Sequence, residues 1–265
     1  MIEYSVCLPM FRAKYIAWLA FESLCRQKDV EFDWELIIAE EQTEEVFGRK
    51  NVFDYEDRLK QVGCHRIHYI PLQKWIPLAK KECLLFNNCS EESKYMRIQA
   101  ADCYSSPHIL AESYKILRNN PKIDWFECKP YIIFYDIETG TAKMVSSKGY
   151  VPSVKLKIAK GIKSSPIRRG CDTWFRKNYN SVCKKMFDRK IVSYTDNTQW
   201  KYTFFTHGFH NISVSREKHI SGESNNKEWI DIPFNWKANI PSDIMERVDS
   251  LIKFLPNHTT GVKQL

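Results

Sequence analysis

Tyr95-Met-Arg-Ile-Gln-Ala-Ala-Asp102-Cys-Tyr-Ser-Ser-Pro107 is the stretch whose reading decides the fold. It is a strand-like run that delivers one acidic residue to a turn, and the helix predicted over 107–119 begins at its end. A carboxylate carried to the C-terminal end of a central strand lies where open α/β sheets bind their ligands. Asp102 is therefore the first candidate for chemistry.

The flanking segments place that strand within an alternating pattern. Upstream, 5–10 reads as a buried strand and 15–27 as a helix with Ile16, Leu19, Ala20, Ser23 and Leu24 inward. A second strand over 34–39 is continuously apolar, as a parallel strand covered on both faces would be, and it closes on Glu40-Glu41. A helix over 54–62, a strand over 65–72 and a helix over 78–88 follow. Strand and helix alternating at this spacing predict a doubly wound, mostly parallel α/β sheet.

After Pro121 the pattern changes. Residues 125–135 are rich in aromatic and β-branched side chains, Glu138-Thr-Gly-Thr signals a hairpin, and 143–145 is the return strand. A helix is expected over 174–187 and another over 242–254. The chain then divides into a half at 1–120 and a half at 121–265, within one domain, with a small antiparallel region in the second half.

Composition sets limits. At 265 residues the chain can bury a sizeable core. It holds no apolar run long enough to span a membrane and no signal peptide, so a soluble, cytoplasmic protein is expected. Its nine cysteines are odd in number and contain no C-x-x-C pair, which favours reduced structural thiols over a disulfide framework or a zinc site.

The net charge of +8 is uneven: 155–201 holds thirteen Lys or Arg against three Asp, a net of +10 that leaves about −2 elsewhere. Aromatic residues are interleaved with these cations. Such a segment suits an anionic partner carrying rings or sugars, the alternative being a solvated lysine-rich face.

Ser5-Val-Cys-Leu-Pro9, the helix end Ser23-Leu-Cys-Arg-Gln27 and Glu35-Leu-Ile-Ile-Ala-Glu40-Glu41 resemble the opening of the family-two nucleotide-sugar glycosyltransferases of the GT-A fold. The resemblance covers about 4–120 in order and spacing, and more loosely 190–215. It implies transfer of a hexosyl or pentosyl group from a nucleoside-diphosphate sugar to an acceptor hydroxyl, inverting and assisted by Mn²⁺ or Mg²⁺. The family's metal-binding D-x-D falls on Ala100-Ala101-Asp102, so the first acid is absent here.

Carried over residue by residue, Asp102 is a metal ligand, with His207 or His210 as a second. Asp196 is the general base and Asp172 its rival. Pro9, Glu40 or Glu41, Lys80 or Lys81, and Ala101 line the donor. Arg168, Arg169, Trp174 and Trp200, in the basic segment, are assigned to an anionic acceptor: a phosphorylated glycan or lipid, or a modified nucleic acid. Each has a plainer reading as well: helix caps for Asp102 and Asp196, ordinary hydrogen-bonded histidines, and a wet helix face for the lysines. The same segments admit two other functions, a non-catalytic polyanion or nucleic-acid-binding protein and a nucleotidyltransferase. The second wants a glycine-rich phosphate loop, and Met10-Phe-Arg-Ala-Lys14 has no glycine.

Overall fold

The computed structural model describes residues 1–128, 131–136, 140–146, 153–163, 171–196, 204–206, 237 and 240–251. In chain order its elements are β1 (Tyr4–Met10), α1 (Trp18–Cys25), β2 (Trp34–Glu41), α2 (Arg49–Phe53), α3 (Glu56–Gln61), β3 (Cys64–Leu72), α4 (Leu78–Asn87), β4 (Tyr95–Ile98) and β5 (Cys103–Tyr104). Then come α5 (Ile109–Asn119), β6 (Trp125–Cys128), β7 (Tyr131–Asp136), β8 (Thr141–Ser146), β9 (Ser153–Lys155), α6 (Leu156–Lys160), α7 (Cys171–Phe187), β10 (Ser193–Asp196), β11 (Phe204–Thr206) and α8 (Ser242–Ser250).

Seven strands form one sheet in the order β10-β6-β9-β4-β1-β2-β3. All run parallel except β9, which lies antiparallel between β4 and β6. The predicted mostly parallel α/β architecture is the one observed. β2 shows why the apolar pattern there is continuous: all eight of its residues are buried. Tyr4, Val6, Leu8, Leu36 and Ile38 pack against α1, α5 and α8 on one face, while Cys7, Ile37, Ala39, Met96 and Trp125 pack against α4, α6 and α7 on the other. Side chains alternate across a strand, so a strand covered on both sides must be apolar at every position.

A second sheet, β5-β11-β7-β8, holds the expected hairpin, β7 and β8 pairing antiparallel from Tyr131↔Ser146 to Asp136↔Thr141. The single strand read over 125–135 is in fact two, β6 in the large sheet and β7 in the small one. Both are equally rich in β-formers, so composition does not show the division. The run toward Asp102 divides likewise: β4 stops at Ile98, and Cys103 reopens it as β5 in the second sheet.

Three further differences have local causes. The 54–62 helix is shorter, and the unforeseen α2 precedes it, starting after Gly48, whose φ of 88° suits a residue without Cβ. Glu40 and Glu41 belong to β2 itself rather than to the loop beyond it. β9 and α6, at the start of the basic segment, precede the helix expected over 174–187 where the sequence marks no element, with Val154, Leu156, Ile158 and Ala159 buried. A three-residue strand is fixed by its partners, which short-range periodicity does not reveal.

Candidate active site

The turn that carries Asp102 leaves β4 at the C-terminal end of the large sheet and enters the small one. Gln99 builds it. Its backbone N–H donates to the Cys7 carbonyl at 2.8 Å, tying the turn to β1. Its side-chain amide donates to the Ala100 and Cys103 carbonyls at 3.2 and 3.1 Å and accepts from Ser105 Oγ at 2.8 Å. Gln99 is buried, whereas Ala101 and Asp102 stay partly exposed. Cys103 Sγ lies 3.5 Å from Asp102 Oδ1.

Helix α1 holds the chain beyond the turn. Ser23 Oγ accepts from Ser105 N–H at 2.9 Å, and Gln27 Nε2 donates to the Ser106 carbonyl at 3.1 Å. Gln27 Oε1 accepts from Leu110 N–H at 3.1 Å at the start of α5. Ser23 and Gln27 therefore have a structural purpose: they satisfy the backbone between Asp102 and α5.

Beside this turn lie the ends of β1 and β2. Pro9 pairs with Ala39 and is partly buried. The buried Lys81 ammonium donates to the Met10 carbonyl at 2.8 Å and is ion-paired with Glu41 Oε2. Burial lowers the Lys81 pKa against the pull of Glu41. The other carboxylate oxygen, Glu41 Oε1, is buried and accepts no hydrogen bond among the described residues.

Glu40 is differently used. Its carboxylate accepts from Phe47 N–H at 2.8 Å, Gly48 N–H at 3.0 Å and Tyr69 Oη at 2.8 Å. Burial raises its pKa against these three donors. Glu40 anchors the 42–48 loop, and Lys80, in the first turn of α4, is exposed.

Asp196 ends β10, opposite Cys128 of the parallel β6, on the same side of the sheet as the Asp102 turn. Asp172 and Trp174 lie in the first turn of α7. The side chains of Asp172, Trp174 and Asp196 are outside those described, as are the whole of Arg168, Arg169, Trp200, His207 and His210. One pairing bears on the histidines. Thr206, which precedes His207 in sequence, pairs with Cys103, the neighbour of Asp102.

Among the described residues no group of three or more His, Cys, Asp or Glu is arranged to hold a metal ion. Asp102 offers one partly exposed, hard carboxylate donor. That fits a cation such as Mg²⁺, which is commonly bound through one or two carboxylates together with substrate phosphates.

Composition alone singled out neither Gln99 nor the buried Asp124 at the start of β6. Asp124 accepts from Arg189 Nη2 at 2.9 Å, Lys155 Nζ at 3.0 Å and Val192 N–H at 3.0 Å, and also pairs with Arg189 Nη1. Burial alone would raise its pKa; the Arg189 guanidinium, the Val192 N–H and Lys155 override this and hold it at about 2. The seven cysteines whose side chains are described are free thiols.

No family model and no curated protein sequence matches the chain. Solved structures do. The crystal structure of S. aureus TarS 1-349 in complex with UDP-GlcNAc superposes with a TM-score of 0.61 at 12% identity, over 94% of this chain and 73% of that one. The UDP complex of TarS 1-349 gives 0.58 at 11%, over 78% and 62%. The mannosyltransferase PcManGT from Pyrobaculum calidifontis, in complex with GDP-Man and Mn²⁺, gives 0.56 at 10%, over 83% and 59%. The chain thus spans between 59% and 73% of the length of these three structures. At such identity the likeness is one of fold, and the fold of this chain is that of the GT-A glycosyltransferases.

Proposed function

We propose that this protein transfers a hexosyl or pentosyl group from a nucleoside-diphosphate sugar to a hydroxyl of an anionic acceptor, with inversion. The observation that carries this reading is the Asp102 turn, held by Gln99 beside the ends of β1 and β2 on a fold shared with structures bound to UDP, UDP-GlcNAc and GDP-Man.

The roles follow from the groups present. Glu41 Oε1 is a buried acceptor in need of a donor, and an N–H of the base or a ribose hydroxyl would supply one. Glu40 and Lys81 are committed inside the fold, so Lys80 takes the phosphate role. Pro9 and Ala101 offer the backbone edges along which the nucleoside and sugar lie. Asp102 is the carboxylate that would hold Mn²⁺ or Mg²⁺, whose charge would offset that of the diphosphate.

Asp196, at the end of β10, is the proposed general base, with Asp172 the rival. It takes the proton of the acceptor hydroxyl, whose oxygen attacks the anomeric carbon as the bond to the diphosphate breaks. His207 or His210 would complete the metal site, because the chain reaches them directly after Thr206. Arg168, Arg169, Trp174 and Trp200 are assigned to the acceptor, a phosphorylated glycan or lipid or a modified nucleic acid. The free described thiols agree with a cytoplasmic location.

Thermal-shift screening of nucleotide sugars with and without Mn²⁺, followed by mass spectrometry of the product, tests the reading. Stabilisation by one donor, lost in Asp102→Ala, supports it. Absence of donor binding and turnover, with salt-sensitive polyanion binding indifferent to Asp102, would instead identify a non-catalytic binding protein.

A further inference from the structure

A cavity of about 440 Å³ opens beside α1, and its walls come from four separate stretches of chain. Lys14 follows β1, Trp18 and Glu22 belong to α1, Phe47, Tyr55 and Arg58 come from the chain through α2 and α3, and Arg247 comes from α8. Only the tertiary fold brings these residues together.

The aromatic part of the wall is fixed from behind. Phe21, in the core, stacks on Phe47 and on Tyr55, with centroids 5.4 and 5.0 Å apart. Trp18 is buried and donates its indole N–H to the Tyr15 carbonyl at 2.9 Å. Such rings are held in place before any ligand arrives.

The charged part holds more cations than its buried acid can use. Glu22 accepts from Arg58 Nη1 and Nη2 at 2.7 Å each, and from Arg26 Nε at 3.4 Å. Its two oxygens are then satisfied, and Arg247 Nη1 stays 4.0 Å away, with its guanidinium 4.0 Å from the Trp18 ring centroid. Lys14 is exposed and forms no ion pair among the described residues. Against Lys14, Arg58 and Arg247 the cavity sets Glu22 and the exposed Asp54, a net of +1. Like charges gathered around one space repel, so an anion between them is favoured.

This cavity is distinct from the candidate active site. Trp18 and Glu22 lie four residues apart on one stripe of α1, whereas Ser23 and Gln27, which hold the chain after Asp102, lie on the next. On β2, Ile37 and Ala39 share the face of Glu41 and α4, and Leu36 and Ile38 share the face of Glu40 and α1. Phe47 N–H donates to Glu40 at 2.8 Å, so the cavity stands on the Glu40 face and the donor groups on the Glu41 face.

We propose that this cavity is a second binding site, for a monosaccharide that carries an acidic group, phosphate or carboxylate. The volume fits a small molecule rather than a polymer segment. The acidic group would lie between Lys14 and Arg247, since both guanidinium and ammonium bind such oxygens. The sugar ring would lie against Tyr55 and Phe47, whose flat faces suit its apolar side.

Calorimetric titration of the full chain at low salt tests the proposal, with glucose 6-phosphate, glucuronate and glucose as probes. Glucose 6-phosphate or glucuronate is expected to bind, and which of them binds tighter identifies the acid; glucose should bind at least about tenfold more weakly than that one. Inorganic phosphate and acetate, which lack the ring, should be weaker than it by about threefold or more. Lys14→Ala should cost about tenfold with an unchanged melting temperature, and Arg247→Ala a comparable factor. Binding should persist in Asp102→Ala and in the presence of saturating UDP, which keeps this test separate from that of the donor site. Failure of both acidic sugars to bind, equal binding of glucose or of inorganic phosphate, or wild-type binding by Lys14→Ala would overturn the proposal. So would displacement by UDP together with loss in Asp102→Ala, which would assign the bound sugar to the donor site.

Discussion

Gln99 and Ser105 are joined across the Asp102 turn: Ser105 Oγ donates to Gln99 Oε1 at 2.8 Å, while the amide nitrogen of the same side chain bonds the Cys103 carbonyl at 3.1 Å. One buried amide thus fixes both sides of the five-residue path from Gln99 to Cys103. Ser105 is held in turn by Ser23 on α1, so the position of Asp102 is referred back to the core through two side chains.

Gln99→Leu removes both halves of the clamp and leaves the Cys103 carbonyl and Ser105 hydroxyl to find other partners. A loss of about 1–3 kcal/mol in stability is expected in chemical denaturation. Donor turnover should fall further than that of a Ser113→Ala control, because the turn carrying Asp102 loses its register. Unchanged turnover in a folded Gln99→Leu protein would show that the clamp does not position the site.

Glu40 and Glu41, adjacent on β2, should separate in their effects. Glu40→Ala strips the acceptor from Phe47 N–H, Gly48 N–H and Tyr69, and lowers the melting temperature. Glu41→Gln keeps its volume but leaves the buried Lys81 ammonium without its counter-charge, so it is expected to lower the melting temperature and, unlike Glu40→Ala, also to weaken nucleotide-sugar binding in calorimetry. Lys81→Met leaves the Glu41 charge buried without its cation and should destabilise by about 3–5 kcal/mol.

Asp124 predicts an acid limb in stability. Its carboxyl is held at about 2 against a reference of 3.8, so the folded state prefers the ionised form. The stabilisation is complete above the unfolded value and is lost as the pH falls from about 4 to about 2. Asp124→Asn should lower stability at neutral pH and flatten this part of the pH profile. An unaltered profile in urea titrations would refute the assignment.

Gly161, which ends α6, tests the contact with α7. A Cβ there would meet Val182 Cγ1 at 2.6 Å and the Ile158 carbonyl at 3.3 Å. Valine has little rotamer freedom in a helix. Gly161→Ala should therefore cost about 1–3 kcal/mol through overpacking, read as a lower melting temperature.

Much of the N-terminal half was legible because its signals are local. Continuous apolar runs over β1 and β2, and the 3.6-residue spacing of α1 and α5, require only near neighbours to read. The site was legible in part. Asp102 stood out as an acid at a strand end, and the Ser23-to-Gln27 motif pointed to α1. The clamp by Gln99 was not visible, since an amide between a strand and a turn has no periodicity. Lys80 and Lys81 were equivalent in sequence, and only the direction of α4 buries one against Glu41 and exposes the other. Glu40 and Glu41 divide for the same reason, because successive side chains leave a strand on opposite faces.

The sequence by itself determined the alternating α/β order, the buried parallel strands, a hairpin turning at 138–141 and the concentration of positive charge after Lys155. Tertiary structure alone decided that β9 enters the sheet antiparallel, that 125–136 divides between two sheets, and that Thr206 returns beside Cys103. Propensity and periodicity act over a few residues, whereas strand order and the pairing of buried charges are set by contacts between segments far apart in the chain.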